Sequence, residues 1–252
     1  MRARSLIAVA ALLAAWELVA RLKLAPSFLL PSVSEVVACL IGLVSTGVLT
    51  HHYLTSLVRW LLGFTAGSAV GVGLGLGMGL SRGLHDSAFP LIGVIYAVPA
   101  VAWIPLLLVW LGLSEALPIA VVFLCSSIPL AIVTLTAVRE VSREVVDVAR
   151  TLGARGLDLL ATIMVPQALP TILSGLKVEA GMAWRSCFVA EMVAMSSGLG
   201  FLAMEASSML RVDVVMAVVT VLAASNYVFH ALFEKLEVAL LRRREGLWSR
   251  SS

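Results

Sequence analysis

Few side chains in this sequence are spaced to do bond chemistry. The four histidines, His51, His52, His85 and His230, form no HExxH-type cluster. The three cysteines, Cys39, Cys125 and Cys187, lie far apart in apolar surroundings, with neither metal-ligand spacing nor a pairing pattern; they read as small hydrophobes. No GxxxxGK[ST] phosphate loop occurs, and Gly175-Leu176-Lys177 is not one. The provocative residue is a charge in apolar company. Arg185 stands about 14 residues into its run, roughly 21 Å deep at ~1.5 Å per residue, where an arginine costs about 2.5–3.5 kcal/mol on insertion scales. Glu179 and Glu191 are each six residues away, off its helical face. Its partner must come from another helix, a second copy, water or a solute. Two readings stand: attraction of an anionic solute such as a sulfonate or nitrate, or an interhelical ion pair with no solute role.

Elements must hold these charges, and the composition says which kind. The chain of 252 residues is 60% hydrophobic and 13% charged, with a mean hydropathy of +1.03. That is too little charge to coat a water-facing surface. A net charge of +3 gives no argument for nucleic acid. Trp60 to Leu80, Ala88 to Leu113, Ala116 to Val138 and Val214 to Phe233 carry no charged residue, and each is long enough to span a bilayer. Ser5 to Ala20, with Glu17, is a fifth span. A sixth runs from Ala168 to Met195, interrupted by Lys177, Glu179, Arg185 and Glu191. Continuous runs of this kind exclude an alternating barrel. The first run also fits a cleaved signal, but Trp16 and Glu17 spoil its end, so an uncleaved span is expected.

With the N-terminus in the cytoplasm, eleven arginines fall inside and four basic residues, Arg21, Lys23, Arg59 and Arg211, fall outside. The positive-inside bias therefore puts both termini in the cytoplasm. The expectation is an all-α polytopic protein of the cell (plasma or inner) membrane, multi-pass, with about six transmembrane helices. Val33, Val36, Val37, Leu40 and Ile41 form an apolar stripe that predicts an interfacial helix on the outer face. In Gly71 to Gly79, glycine occupies every second position; Gly71, Gly75 and Gly79 share a face and predict tight helix packing. Pro99 and Pro105 break the third span, either beside a translocation path or only to improve packing.

One stretch is unlike the rest. Glu144 to Pro170 contains five ionised side chains, two glycines and two prolines. Val141, Val145, Val148, Ala149 and Leu152 fall on one helical face, and Gly153 stands where a left-handed C-cap is expected. Leu157, Leu160, Ala161 and Met164 make a second stripe, after which Pro166 is expected to turn the chain into the next span. Two short amphipathic helices at an angle, in a cytoplasmic loop of this length, suit either the membrane surface or a docking partner.

This stretch resembles the EAA loop of ABC importer permeases, which reads Glu-Ala-Ala, three residues, Gly, nine residues, Ile, one residue, Leu-Pro. Here stand Asp147-Val148-Ala149, Gly153, Ile163, Val165 and Pro166, at the full spacing, with Asp, Val and Val as the departures. Val98 to Pro118, Gly175 to Met192, Gly198 to Leu202 and Thr55 to Phe64 are similar to segments of the nitrate, taurine and alkanesulfonate permease subfamily. The resemblance covers residues 50 to 236 without a large insertion.

The resemblance implies a type I ABC importer permease that does no bond chemistry and works by alternating access. Residues 1–49 would be a first span and an outer interfacial helix. Residues 50–236 would be the transporter domain, with the coupling loop at 141–166, and 237–252 a basic cytoplasmic tail. Asp147, Ala149, Arg150, Gly153, Ala154, Ile163 and Pro166 would couple to the ATPase. Pro99, Pro105, Arg185 and Glu191 would belong to the path, with Glu191 near its outer end as a gating or structural residue. The implied partners are a second permease copy forming a homodimer, two cytoplasmic ABC ATPase subunits, an extracytoplasmic solute-binding protein and the lipid bilayer. This chain would carry no cofactor, ATP and Mg belonging to the ATPases, and its cargo would be a small anionic solute. The rival reading is an ATP-independent secondary transporter or a membrane scaffold, whose signs would be inverted repeats and paired in-membrane carboxylates. No repeat is seen.

Overall fold

The computed structural model describes residues 2–22 and 29–248. Lys23 and Arg250, used in the orientation count, lie outside them. Among the described residues every regular element is a helix, as expected for a chain that must satisfy its backbone within lipid. Three helices are long and apolar enough to cross a membrane: α3 (Val48–Leu80), α6 (Ala116–Arg139) and α11 (Val212–Trp248). Two further spans are broken. Helix α4 (Arg82–Tyr96) is followed by a 3₁₀ turn at Ala100–Trp103 and α5 (Ile104–Leu111), bent by 91°. The π turn Leu160–Met164 and α9 (Val165–Ala194) are followed by α10 (Leu199–Ser208), bent by 48°. Helix α1 (Arg2–Arg21) covers the run expected as the first span, but it is not long and apolar enough to count with the others, so the described residues hold up to five spans where about six are expected.

The centre of the bundle is α3 against α6. Gly63, Gly67, Gly71, Gly75 and Gly79 form one stripe four residues apart, and a Cβ at any of them would collide with α6. At Gly75 it would come within 2.5 Å of Thr134 Cβ. Without a hydrophobic drive between helices in lipid, close backbone approach is what holds them together. The expected glycine face is therefore present, and it extends two turns further back, through Gly67 to Gly63.

A second core joins α3, α9 and α11 through aromatic rings. Trp60 stacks on Phe229 with ring centres 4.2 Å apart and on Phe64 at 5.3 Å, while Trp184 meets Phe229 edge-on at 5.3 Å. Both indoles satisfy their N–H groups: Trp60 Nε1 donates to Ala180 O at 3.1 Å and Trp184 Nε1 to Leu222 O at 3.3 Å. Buried indole donors need such partners.

Near the N-terminus, α2 (Val33–Ser45) begins with a capping box: Ser32 Oγ accepts from Glu35 N–H, and Glu35 accepts from Ser32 N–H at 2.7 Å. Glu17 on α1 accepts from the Ser34 hydroxyl and N–H, and Trp16 Nε1 donates to Pro31 O. The two residues that argue against a signal peptide thus tether α1 to α2. On α2, Val36 is buried, Leu40 packs against the aromatic core, and Val37 and Ile41 are exposed.

Two expectations are corrected. Pro166 does not turn the chain. Helix runs without a break from Gly156 to Ala194, and Pro166 is the second residue of α9. Val165 N–H reaches back five residues to Leu160 O. Proline, which has no N–H, falls where the pattern is changing back to i−4. The second correction is α3, which starts at Val48 rather than Trp60, so Arg59 lies inside a helix and not in an outer loop.

Candidate functional site

Extending α3 back to Val48 places His52, Ser56 and Arg59 on one face, at steps of four and three. That face meets the start of α6, the end of α9 and the start of α10. Arg59 is 1% exposed. Its Nη1 donates to Glu191 Oε1 at 2.9 Å and to Ser197 O at 2.7 Å; its Nε and Nη2 grip the Glu115 carboxylate at 2.6 and 2.7 Å. Nη2 also donates to Ser197 Oγ at 2.8 Å.

Glu191 is 0% exposed and is satisfied from several sides. It accepts from Ser56 Oγ at 2.7 Å and from Gly200 N–H at 3.1 Å, besides Arg59. Ser56 Oγ in turn accepts from Leu199 N–H at 2.8 Å, and His52 Nδ1 from Gly198 N–H at 3.0 Å. Three successive free donors at the α10 N-terminus are thereby capped by side chains from α3 and α9, with a carboxylate at the positive end of the helix dipole. Gly198 (φ +107°) and Gly200 are glycines for the same reason: a Cβ at either would run into Glu191 or the α9 backbone. The guanidinium also holds the Glu115 carboxyl below the usual carboxylate range.

A second place is the break in the third span. Residues 95–103, α6 and α9 enclose a groove of about 340 Å³. Tyr96, Pro99, Trp103, Cys125, Glu179 and Ser186 line it, with Met182 between the last two on α9. Of the expected path residues, only Pro99 faces this groove. Pro105 is the second residue of α5 and is exposed. Arg185 is exposed on α9, its Nε on Gly181 O at 3.2 Å and its Nη2 on Met182 Sδ at 2.8 Å, and it has no ion-pair partner among the described residues. Glu191 is locked in the cluster with Arg59. The structure therefore separates the four residues and does not gather them at one site.

The third place is the α7 turn. Helix α7 (Arg143–Thr151) ends in a Schellman motif: Gly153 N–H bonds Arg150 O and Ala154 N–H bonds Ala149 O, both at 3.0 Å. Gly153 has φ +96° and open space where a Cβ would project. Ala149 and Val141 face inward, whereas Val148 and Leu152 are 60% and 84% exposed. Asp147 and Arg150 form an exposed i,i+3 pair at 3.7 Å. Ala154, Ile163 and Pro166 are half-buried. In the second stripe Leu159 is the buried residue, and Ala161 is exposed. The π turn at Leu160–Met164 shifts the residues that follow it around the helix. The side chains of Arg143 and Leu157 lie outside the described residues.

Among the described residues no three His, Cys, Asp or Glu side chains are grouped to hold a metal ion. The ion-paired cluster clamps helices, the groove can take a small solute, and the α7 turn offers a surface; none is arranged for bond-making.

Residues 67–242 match the family described as binding-protein-dependent transport system inner membrane component. A putative ABC transporter permease of Methanocaldococcus jannaschii is 38% identical over 80% of this chain and 77% of its own. In Escherichia coli, the putative aliphatic sulfonates transport permease SsuC is 34% identical over 95% of this chain and 88% of its own. The taurine transport system permease TauC is 31% identical over 95% and 87%. A structure of the inward-facing MetNI methionine ABC transporter superposes with a TM-score of 0.66 at 15% identity, covering 74% of this chain and 93% of the other.

Proposed function

The chain belongs to the binding-protein-dependent transport system inner membrane components and is an ABC importer permease, and from that premise we propose its cargo, partners and coupling surface. The cargo is a small anionic solute of the sulfonate kind. The names of two relatives that align over 95% of this chain, one for aliphatic sulfonates and one for taurine, support this. The permease works as a homodimer with two separate cytoplasmic ATPase subunits, which bind the ATP and Mg, and with an extracytoplasmic binding protein. It sits in the inner membrane with both termini in the cytoplasm.

The observation that carries the coupling assignment is the α7 turn. Its apolar side chains Val148 and Leu152 stand out in the open beside a charged rim, at the end of α6 and the start of the helix that becomes α9. A rigid, capped knob of this sort docks in a cleft and passes the cleft's movement directly into α6 and α9. Asp147 and Arg150 set its register by charge, with Ala149, Ala154, Ile163 and Pro166 supporting it from beneath. Gly153→Trp is the test. An ATPase co-expressed with the wild-type chain copurifies with it, and the substitution abolishes both copurification and ATP-driven uptake. Unchanged assembly and transport would sink the assignment.

A further inference from the structure

We propose that Arg59 locks the outer ends of α6 and α9 together, and that its contact with Glu115 is the half of the lock that opens when the α7 turn is pushed. The proposal rests on the reading of that turn as the coupling surface and adds where its movement is felt.

Helices α6 and α9 lie side by side in opposite directions, and the chain between them forms the α7 turn. Near the turn, Ala137 and Val138 pack with Ala168 and Ile172; near the far end, Leu117 and Val121 pack with Ala190 and Ala194. At that far end each helix also carries a carboxylate on Arg59: Glu115 at the start of α6 and Glu191 near the end of α9. The two helices that meet at the α7 turn are thus tied again at the opposite end, by one guanidinium from a third helix, α3. A push on the turn that moves α6 against α9 loads this tie.

The tie is unequal. The Glu115 side chain is 65% exposed, whereas that of Glu191 is sealed. Once released, Glu115 passes into water. Glu191 would instead be stranded, since Ser56 Oγ and Gly200 N–H hold it in the same buried place. Without Glu115, Arg59 still faces the opposite charge of Glu191 and the carbonyl and hydroxyl oxygens of Ser197. An exposed pair breaks at far lower cost than a buried one, so the Glu115 side gives way first. What remains between the two outer ends is Leu117 and Val121 against two alanines, a contact with no polar bond in it. Its parting uncovers Ala194, which is 4% exposed with the lock shut.

The test uses the permease reconstituted in vesicles with its ATPase and binding protein. Cys39→Ser, Cys125→Ser and Cys187→Ser remove the native thiols, and Ala194→Cys places a reporter between α6 and α9. A membrane-impermeant maleimide added outside reads its exposure. In this background the reporter is protected without nucleotide and reacts when ATP and the binding protein are supplied. Glu115→Ala makes it react without nucleotide, roughly fivefold faster or more, the population shift for losing one exposed ion pair. Glu115→Gln, which keeps an acceptor without the charge, falls between. Glu205→Gln, at an exposed carboxylate on α10, leaves the protection unchanged. Uptake per ATP hydrolysed also falls in Glu115→Ala, a ratio that a mere loss of folded protein would not move. Full protection in Glu115→Ala without nucleotide overturns the proposal, as does an equal rise in Glu205→Gln or an unchanged ratio of uptake to hydrolysis. A background in which ATP and the binding protein never expose the reporter overturns the coupling reading beneath it. Exposure by ATP that Glu115→Ala does not alter overturns only the lock.

Discussion

At the scale of residues, Arg59 is the centre of the fold's polar chemistry. Its guanidinium is buried against one carboxylate, Glu191, that is itself fully buried. Removing one member of such a pair strands the other, which costs about 3–5 kcal/mol, more than the pair itself contributes against an apolar substitute. Arg59→Met therefore lowers unfolding stability in detergent by that order, because Glu191 keeps only Ser56, Gly200 and the weakly donating Cys187 thiol. Glu191→Gln is milder, since Arg59 keeps its fork on Glu115. Titration with denaturant distinguishes the two, and equal losses would show that Glu115 does not hold the guanidinium. Glu115 also sets a pH effect. Its carboxyl is held below the ordinary value by Arg59, so its contribution is present above the unfolded-state pKa and is lost as pH falls through the lower folded-state pKa. With its side chain 65% exposed, the effect is small. Stability measured across the acid range falls less steeply in Glu115→Gln than in wild type.

At the scale of elements, the α3–α6 contact depends on glycines more than on apolar side chains. A Cβ at Gly67 would strike Ser126 Oγ and approach the Phe123 carbonyl within 2.8 Å, while one at Gly73 meets nothing within 4 Å. Gly67→Val thus forces the two helices apart at a cost of about 1–3 kcal/mol or more, whereas Gly73→Ala is neutral or slightly stabilising because alanine favours helix. Thermal unfolding of the two variants checks this, and equal melting temperatures would contradict the stripe. Other elements were only half legible in the sequence. The span that contains Arg59 looks as though it should begin after the charge, because a lone arginine in an apolar run reads as a loop. The recurrence of His52, Ser56 and Arg59 at helical spacing was the available signal. Pro166 reads as a stop because proline usually ends helices; a local π turn removes the conflict, and no sequence period announces a π turn.

At the scale of the whole molecule, the elements sort by end. The cluster of Arg59, Glu115, Glu191 and the α10 N-terminus lies at one end of the bundle. The α7 turn lies at the other, 30 helical residues of α9 away. The orientation read from arginines then makes a concrete prediction. A fluorescent reporter that matures only in the cytoplasm lights up when fused after Ser252. A phosphatase that needs the outer compartment is active when fused after Leu210, between α10 and α11. The reverse pattern would invert the topology and move the α7 turn away from any cytoplasmic ATPase.

The sequence by itself determined that this is a helical membrane protein, where its apolar runs lie, and that Asp147 through Pro166 carry a spaced pattern beside a glycine that must turn left-handed. Those properties are local: they follow from hydropathy over about twenty residues, from helical period, and from the conformational freedom of glycine. Tertiary structure alone decided which charges are matched. Arg59 and Glu191 are 132 residues apart, and no periodicity connects them. Pairing in lipid is a property of which faces meet across the bundle, and that is fixed by close helix approach at the glycine stripe and by the stacked rings of Trp60, Phe64 and Phe229.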